Sequence, residues 1–209
     1  MTFAAQLLAA GQVAPMERHP FVRAVSDGTL SRDALRRYAV ELAASAKDFP
    51  SRIAAVLSIC SEPAVRRSLE ANLRDEEGHD LMADRFARAA GATDEELAEP
   101  AARPVWHDAA VAAGDWLGAF AYFAIGYEAN IPPTYRALMT PLVERYGIGA
   151  GNLQFLTAHF EADVRHSSES AELIARVART EEQRAQALAG ARAGGVAWWH
   201  FHRGRAPIR

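Results

Sequence analysis

The sequence is poor in two residue types, and each scarcity limits what the protein can be. Cys60 is the one cysteine, which excludes an internal disulfide framework and fits the reducing cytoplasm. It ends an apolar helical run, so we expect a buried, unreactive thiol. Lys47 is the one lysine, so arginine carries nearly all of the positive charge. With a net charge of −3, the chain lacks the basic surface typical of nucleic-acid-binding proteins, and we expect no such partner.

Long apolar stretches and strand-like patterns are also missing. The N-terminal segment MTFAAQLLAAG lacks the basic residues of a signal peptide and is too short to cross a bilayer, so it predicts an amphipathic helix and no membrane association. No segment alternates polar and apolar residues as a strand does. The 209 residues, half of them hydrophobic, are enough for one core. We therefore predict a single all-α domain over residues 1–209.

Helix start and stop signals divide the chain into about seven to nine helices. Ser31 is a good N-cap for a long helix, which Pro50 is expected to kink or divide. A second long helix is predicted from Pro63 to Gly91, with proline in its first turn. The segment DWLGAFAYFAIGYEAN is apolar almost all round, which places it in the middle of the bundle. Thr180 is predicted to cap the last helix.

The segment HFEADVRHSS, residues 159–168, carries the most specific chemical signal in the sequence. It holds His159, Asp163 and His166 at spacings of four and three. On an α-helix these positions form one stripe, so two imidazoles and a carboxylate point the same way. Core packing does not ask for such a set, because unpaired buried polar groups are costly. A metal ion would satisfy all three; the alternative is a solvated helix face with stray histidines.

Two other predicted helices supply complementary groups. Glu76 and His79 lie three apart and share a helix face, while Glu77 points away. The alternative for this DEEGHD segment is a charged surface turn. Glu128 follows the apolar YFAIGY segment, where an unpaired carboxylate would be expensive. Its alternative partner is an arginine, such as Arg136 in the next helix.

Together these residues form a candidate shell for two iron ions. Carboxylates bridge cations and balance their charge, and imidazoles suit iron in either working oxidation state. The predicted ligands are three carboxylates and three imidazoles from three helices: Glu76, His79, Glu128, His159, Asp163 and His166.

These three motifs resemble those of the heme-oxygenase-like diiron oxidases and oxygenases. The segment HPFVRAVSDGTLSRDALRRYAVE is similar to the opening of the same superfamily, which includes thiaminase-II and pyrroloquinoline-quinone synthase relatives. The resemblance covers most of residues 15–190. The short spacing of the first motif is like that of the fatty-acid decarboxylase branch, whereas many family members have a longer one. This difference leaves Glu77 as an alternative ligand to Glu76.

The resemblance implies a heme-oxygenase-like bundle with a reduced diiron centre, cycling between Fe²⁺ and Fe³⁺, that uses O₂ as co-substrate. The implied substrate is a small molecule: an amino acid, a fatty acid or a related carboxylate or amine. Implied outcomes are decarboxylation, desaturation or C–C cleavage after C–H abstraction, or N-oxygenation, in secondary metabolism. The resemblance also allows for an external electron donor, a homodimer and a second iron that is held weakly.

Three residues of the first long helix are candidates for supporting roles, since this helix flanks the cofactor pocket in the fold class. Tyr38 is a candidate neighbour of the site. Glu41 is either an additional ligand or proton donor, or a surface charge. Lys47 either binds a substrate carboxylate or is a surface residue.

Two other kinds of function compete with a diiron enzyme. One is a metal-free oxidase or a thiaminase-like hydrolase of the same fold, for which Cys60 is the only candidate nucleophile. The other is iron storage or a helical partner-binding module. Ferritin-like storage proteins use Glu-x-x-His pairs on paired helices, and the stripe in residues 159–168 does not follow that pattern.

Overall fold

Every regular element of the protein is helical in the computed structural model, which describes residues 1–102 and 104–203. The predicted all-α class is therefore confirmed. None of the helices in these ranges is long and apolar enough to span a membrane. The helices are α1 (Phe3–Gly11), α2 (Pro20–Ser26), α3 (Arg32–Ile59), α4 (Pro63–Asp75), α5 (His79–Ala89), α6 (Asp94–Leu97), α7 (Val105–Ala112), α8 (Trp116–Ala121), α9 (Ile131–Glu144), α10 (Gln154–Val177) and α11 (Glu181–Arg203).

The prediction of one continuous helix from Pro63 to Gly91 was wrong. Helix α4 ends at Asp75, and α5 begins four residues later. Between them Gly78 has a φ of 84°, a left-handed conformation that glycine adopts freely and that an α-helix does not contain. Glu76 and His79 consequently lie on either side of a turn rather than on one helix face.

Helix α3 forms the wall against which the candidate site is built. The predicted N-cap is confirmed, since the Ser31 hydroxyl accepts a hydrogen bond from the Ala34 N–H at 3.1 Å. Pro50 lies inside the helix and does not divide it. The residues at helical spacing from Leu42 to Phe49 face inward, where α3 packs against α5 and α8.

A π-helical turn, Tyr122–Tyr127, continues α8 and delivers Glu128 to the interior. The Glu128 N–H donates to the Phe123 carbonyl oxygen, five residues back, at 3.0 Å. Such wide turns carry one extra residue and are common at functional sites. The apolar segment is buried, as the sequence predicted, and only 4% of Glu128 is exposed.

Helix α11 lies against this turn through glycines. A Cβ added at Gly194 would overlap the Tyr122 carbonyl oxygen, and one added at Gly195 would overlap the Gly11 carbonyl oxygen. Gly126, on the π-helical turn, faces the backbone of Gly194 from the other side. Backbones therefore touch where side chains would otherwise separate the helices, and this contact holds the turn in place.

Candidate metal centre

One group of three donors joins the α4–α5 turn to helix α10. Ligand atoms of Glu76, His79 and His159 all lie within 4.8 Å of one another. One carboxylate oxygen of Glu76 is 3.0 Å from His79 Nδ1, and the other is 3.9 Å from His159 Nε2. Only 8% of His159 is exposed. The break at Gly78 thus brings the first motif to α10, although the predicted shared helix face does not exist.

A second group of three donors lies one turn further along α10. Ligand atoms of Glu128, Asp163 and His166 also lie within 4.8 Å of one another. His166 Nδ1 is 3.5 Å from Asp163 Oδ1. The carboxylates of Glu128 and Asp163 are buried, with 4% and 3% of each residue exposed. The alternative of a solvated helix face is therefore wrong for this stripe.

Two buried carboxylate oxygens of the second group have no hydrogen-bond partner among the described residues: Glu128 Oε2 and Asp163 Oδ2. Burial raises the pKa of both groups well above the usual range, and the Asp163 charge raises that of Glu128 further. The alternative partner Arg136 is exposed and stacks over the Phe160 ring instead. Uncompensated carboxylates are expensive in an interior, and a metal cation would satisfy both. The donor set therefore fits a metal.

The orientation of His159 also fits a metal ligand. Its Nδ1 lies 2.9 Å from the Phe155 carbonyl oxygen, which can only accept, so Nδ1 carries the hydrogen. The Nε2 lone pair is then directed at the carboxylate of Glu76. Burial lowers the pKa of His159, which keeps the ring neutral. Metal-bound histidines generally have this kind of hydrogen bond behind the ligating nitrogen.

Two polar neighbours of the ligands were missed in the sequence. Asn72 Nδ2 donates to Glu128 Oε1 at 3.3 Å, and Asp75 Oδ2 is 3.6 Å from His166 Nε2. Asn72 precedes Glu76 by four residues, so helical spacing was an available signal. Asp75 had no comparable signal, because it directly precedes Glu76 at the point where α4 ends.

An inner cavity adjoins both donor groups. Its empty volume is about 490 Å³, counting the part open to solvent. Glu76, Glu128, His159 and Asp163 line one side, and the remaining lining residues are mostly apolar or aromatic. They are Leu42, Ser45, Ala46, Phe49, Tyr127, Ile131, Tyr135, Phe155 and Trp198. A small organic molecule bound here would touch the predicted ligands on one side and hydrophobic walls on the other.

The other candidate residues lie away from the two donor groups. Glu77 is exposed, so the geometry favours Glu76. Lys47 pairs with Asp84 at 2.8 Å and donates to the Leu97 carbonyl at 2.9 Å, which ties α3 to α5 and α6. Glu41 lines a separate cavity. The proposed roles of Lys47 and Glu41 toward substrate or metal stay predictions.

Tyr38 lies in the hydrophobic core rather than along the inner cavity. Its ring is fully buried, 4.5 Å from Phe21 and 5.3 Å from His202 between ring centroids. His202 Nδ1 is bonded to the Trp198 carbonyl at 2.9 Å. Tyr38 therefore supports the aromatic layer behind the cavity wall formed by Trp198, and its role as a neighbour of the metals stays a prediction.

This aromatic layer predicts a specific acid sensitivity. Burial and, to a lesser extent, the positive charge of protonated His19 lower the pKa of His202 to about 3. In the unfolded chain His202 is protonated below about pH 6.5, whereas in the folded protein its ring stays neutral down to about pH 3. The free energy of unfolding therefore has its full His202 contribution above pH 6.5. It falls between pH 6.5 and 3 by about 1.4 kcal/mol per pH unit. We expect urea unfolding at pH 7 and pH 4.5 to show a smaller acid loss in His202→Phe than in the unmodified protein. The exposed His200→Phe control should retain the full loss.

Fold and site together are typical of a class: helical proteins in which carboxylates and imidazoles from neighbouring helices can bind metal ions beside a cavity. The chain belongs to the family of iron-containing redox enzymes, whose model matches residues 36–199. It is therefore an oxidoreductase, and the resemblance to heme-oxygenase-like diiron enzymes is confirmed.

Curated relatives share most of the chain. A Chlamydia muridarum protein named 4-aminobenzoate synthase is 32% identical over 194 residues, which cover 88% of this chain and 82% of the relative. A Chlamydia trachomatis protein of the same name is 33% identical, with 83% and 80% covered. One from Nitrosomonas europaea is 27% identical, with 96% and 89% covered.

Solved structures show the same fold. A TenA homologue from Pseudomonas syringae superposes with a TM-score of 0.79 at 18% identity, covering 98% of this chain and 92% of its own. A domain with a heme-oxygenase-like fold from Shewanella denitrificans gives a TM-score of 0.69 at 19% identity, covering 97% and 88%. The predicted heme-oxygenase-like bundle is thus confirmed. It contains more helical segments than the seven to nine expected, partly because α4 and α5 are separate.

Proposed function

We propose that this oxidoreductase holds two iron ions and uses O₂ to oxidise a small organic molecule. The observation that carries the proposal is the pair of unsatisfied, buried carboxylate oxygens on Glu128 and Asp163, inside one of two adjoining three-donor groups. A protein interior does not keep such groups without compensation. Two iron ions beside the apolar cavity would neutralise these buried carboxylates. Metal binding would also explain why the carboxylates lie there.

Each group would hold one ion. Glu76, His79 and His159 would bind the first, and Glu128, Asp163 and His166 the second. Iron in such a site supplies electrons to O₂ and oxidising power toward the substrate. The Phe155 carbonyl fixes the ring of His159, and the apolar walls of the inner cavity exclude water from the reacting molecule.

The substrate that we propose is an amino acid, a fatty acid or a related carboxylate or amine. Relatives named 4-aminobenzoate synthase support a compound of this kind and direct the first assays toward formation of 4-aminobenzoate. The outcomes to be screened are decarboxylation, desaturation, C–C cleavage and N-oxygenation. We also propose an external electron donor, because repeated O₂ activation by a reduced centre consumes electrons that the chain itself does not supply.

Anaerobic titration of the metal-free protein with ferrous iron tests the proposal. We expect saturation at about two iron ions per chain, as six donors in two groups would give. Admission of O₂ should then produce a transient visible absorption and O₂ consumption that depends on the bound iron. Binding of a single ion or none, or an O₂ response that is unchanged after exhaustive chelation, would contradict the proposal.

The same chelation experiment distinguishes a diiron enzyme from a metal-free enzyme of the same fold, whose activity would survive removal of the metal. A thiaminase-like hydrolase would need a reactive thiol in the cavity, and Cys60 lines neither the inner cavity nor the donor groups. It is buried at the end of α3, where burial raises its pKa and disfavours the reactive thiolate. The structure thus gives that alternative no cysteine nucleophile among the described residues of the inner cavity.

A further inference from the structure

A second, outer cavity borders the inner one. Its empty volume is about 1260 Å³, counting the part open to solvent. It is formed by α3, residues 101–102 and 104, the start of α7, the π-helical turn and α11. Ser45 and Tyr127 line both cavities. The two cavities therefore adjoin at these two side chains.

The outer cavity is lined by Arg52, a buried cation that uses only part of its hydrogen-bonding capacity. Arg52 is 7% exposed, and its Nε donates to Asp48 Oδ2 at 2.7 Å. Among the residues that the structure describes, this is the one hydrogen bond of the guanidinium, and Nη1 and Nη2 make none. A guanidinium has five N–H donors in a rigid fork, so most of them remain available. A buried cation with free donors at a cavity wall is a ready site for an anion.

Aromatic side chains extend from this cation toward the inner cavity. The rings of Trp106 and Tyr122 are stacked, with centroids 5.6 Å apart and planes 6° from parallel. The Tyr122 ring in turn lies 5.4 Å from that of Tyr127, which both cavities share. Arg52, Trp106, Tyr122 and Tyr127 all line the outer cavity, so the guanidinium and the aromatic row belong to one lining.

We propose that Arg52 anchors a carboxylate and that the outer cavity admits a small organic acid whose apolar or aromatic body lies along Trp106, Tyr122 and Tyr127. A carboxylate matches the planar fork of a guanidinium. A dianion such as phosphate fits less well, because Asp48 already neutralises part of the single cation and Glu41 adds a further carboxylate to the lining. The binding claim stands alone; the claim that the acid is the substrate rests on the proposed function.

Ser45 and Arg52, which both line the outer cavity, are seven residues apart on α3, which is about 10 Å along its axis. The outer cavity is therefore longer than acetate and has room for an acid with an apolar or aromatic body.

Calorimetric titration of the metal-free protein with three probes tests the anchor. The probes are benzoate, its neutral analogue benzamide, and inorganic phosphate. We expect benzoate to bind at least tenfold more tightly than either of the others. Equal binding of benzamide would show that the aromatic row alone holds the probe, stronger binding of phosphate would indicate a phosphate site, and absence of benzoate binding at millimolar concentration would remove the site; each outcome overturns the proposal.

Two variants locate the binding at Arg52. Arg52→Gln should weaken benzoate binding at least tenfold, whereas Asp48→Asn, which removes a competing negative charge, should strengthen it. The exposed Arg37→Gln control should bind benzoate as the unmodified protein does. A purely structural Arg52–Asp48 pair predicts instead that neither variant changes benzoate affinity, and that result overturns the anchor. Should Arg52→Gln fail to fold, unchanged or weaker binding in Asp48→Asn overturns it.

The experiment also separates this inference from the proposed function. A protein that binds no iron but binds benzoate through Arg52 would contradict the diiron proposal and leave the anchor intact. A protein that binds iron and responds to O₂, but whose Arg52→Gln variant binds benzoate normally, would do the reverse.

Discussion

Replacing Glu128 by alanine will lower the iron bound by each chain from about two ions to about one and reduce the O₂-dependent activity by more than about 100-fold. Loss of residues that merely orient metal ligands lowers metal affinity or activity about 10- to 100-fold, so loss of a direct ligand should exceed that. The measurement is iron content after anaerobic loading and desalting, together with O₂ consumption. The retained ion should be the one held by Glu76, His79 and His159.

Glu77→Ala is the matched control for this variant. It removes an exposed carboxylate next to the first donor group, and we expect unchanged iron content and activity. Two ions bound by Glu128→Ala, or one lost from Glu77→Ala, would contradict the assignment of the second group.

The isosteric variant Glu128→Gln separates a metal ligand from a structural residue. Burial raises the pKa of Glu128, so in the metal-free protein its contribution to stability is best below pH 4.5 and is lost as the pH rises toward the raised pKa. An amide at this position does not titrate. At pH 8 we therefore expect metal-free Glu128→Gln to be more stable than the unmodified protein by about 1 kcal/mol or more, while it binds less iron. A structural carboxylate would give the opposite sign.

The chemistry of the site could be predicted from the sequence because it depends on local patterns. The stripe of His159, Asp163 and His166 needs only helical periodicity to share a face, and α10 is continuous there. Glu128 was recognisable because a carboxylate in an apolar helix is expensive. Those two signals come from different helices, and the structure joins them in one three-donor group.

The ends of helices and the irregular turns were less predictable from the sequence, because single residues determine where they occur. Gly78 breaks the helix predicted from Pro63 to Gly91, yet an isolated glycine in a helical pattern is also tolerated. The segment before Glu128 is apolar throughout and so has no hydrophobic periodicity. Its sequence therefore could not reveal the π-helical turn. The position of Arg52 on a cavity wall could not be predicted, because that cavity is formed by elements distant in sequence.

The glycines of α11 were missed for a related reason. In a sequence, glycine indicates a helix end before it indicates a packing contact, whereas Gly190 and Gly194, four residues apart, form a face that touches other backbones. Their partners, Gly118 and Tyr122, lie about 70 residues earlier in the chain. The spacing of the glycines in the sequence indicates which helix face is free of side chains. It does not indicate which distant segment packs against that face.

Replacing Gly194 by alanine should destabilise the protein by about 3 kcal/mol or more, at the upper end of the range for overpacked cores. The added Cβ would meet the Tyr122 carbonyl and the Gly126 backbone, neither of which can rotate away as a side chain would. For a chain of this size each kcal/mol corresponds to roughly 2–4 °C in Tm. Thermal unfolding followed by circular dichroism should therefore show a drop of about 6–12 °C, or no folded protein at all.

Gly151→Ala is the matched control, since nothing lies within 4 Å of a Cβ at that position and its backbone is not left-handed. Its stability should stay within about 0.5 kcal/mol of the unmodified protein. If Gly194→Ala folds, we expect weaker binding of the second iron as well, because α11 presses on the π-helical turn that ends at Glu128. Unchanged stability and iron content in Gly194→Ala would mean that the crossing of α11 does not set the position of this carboxylate.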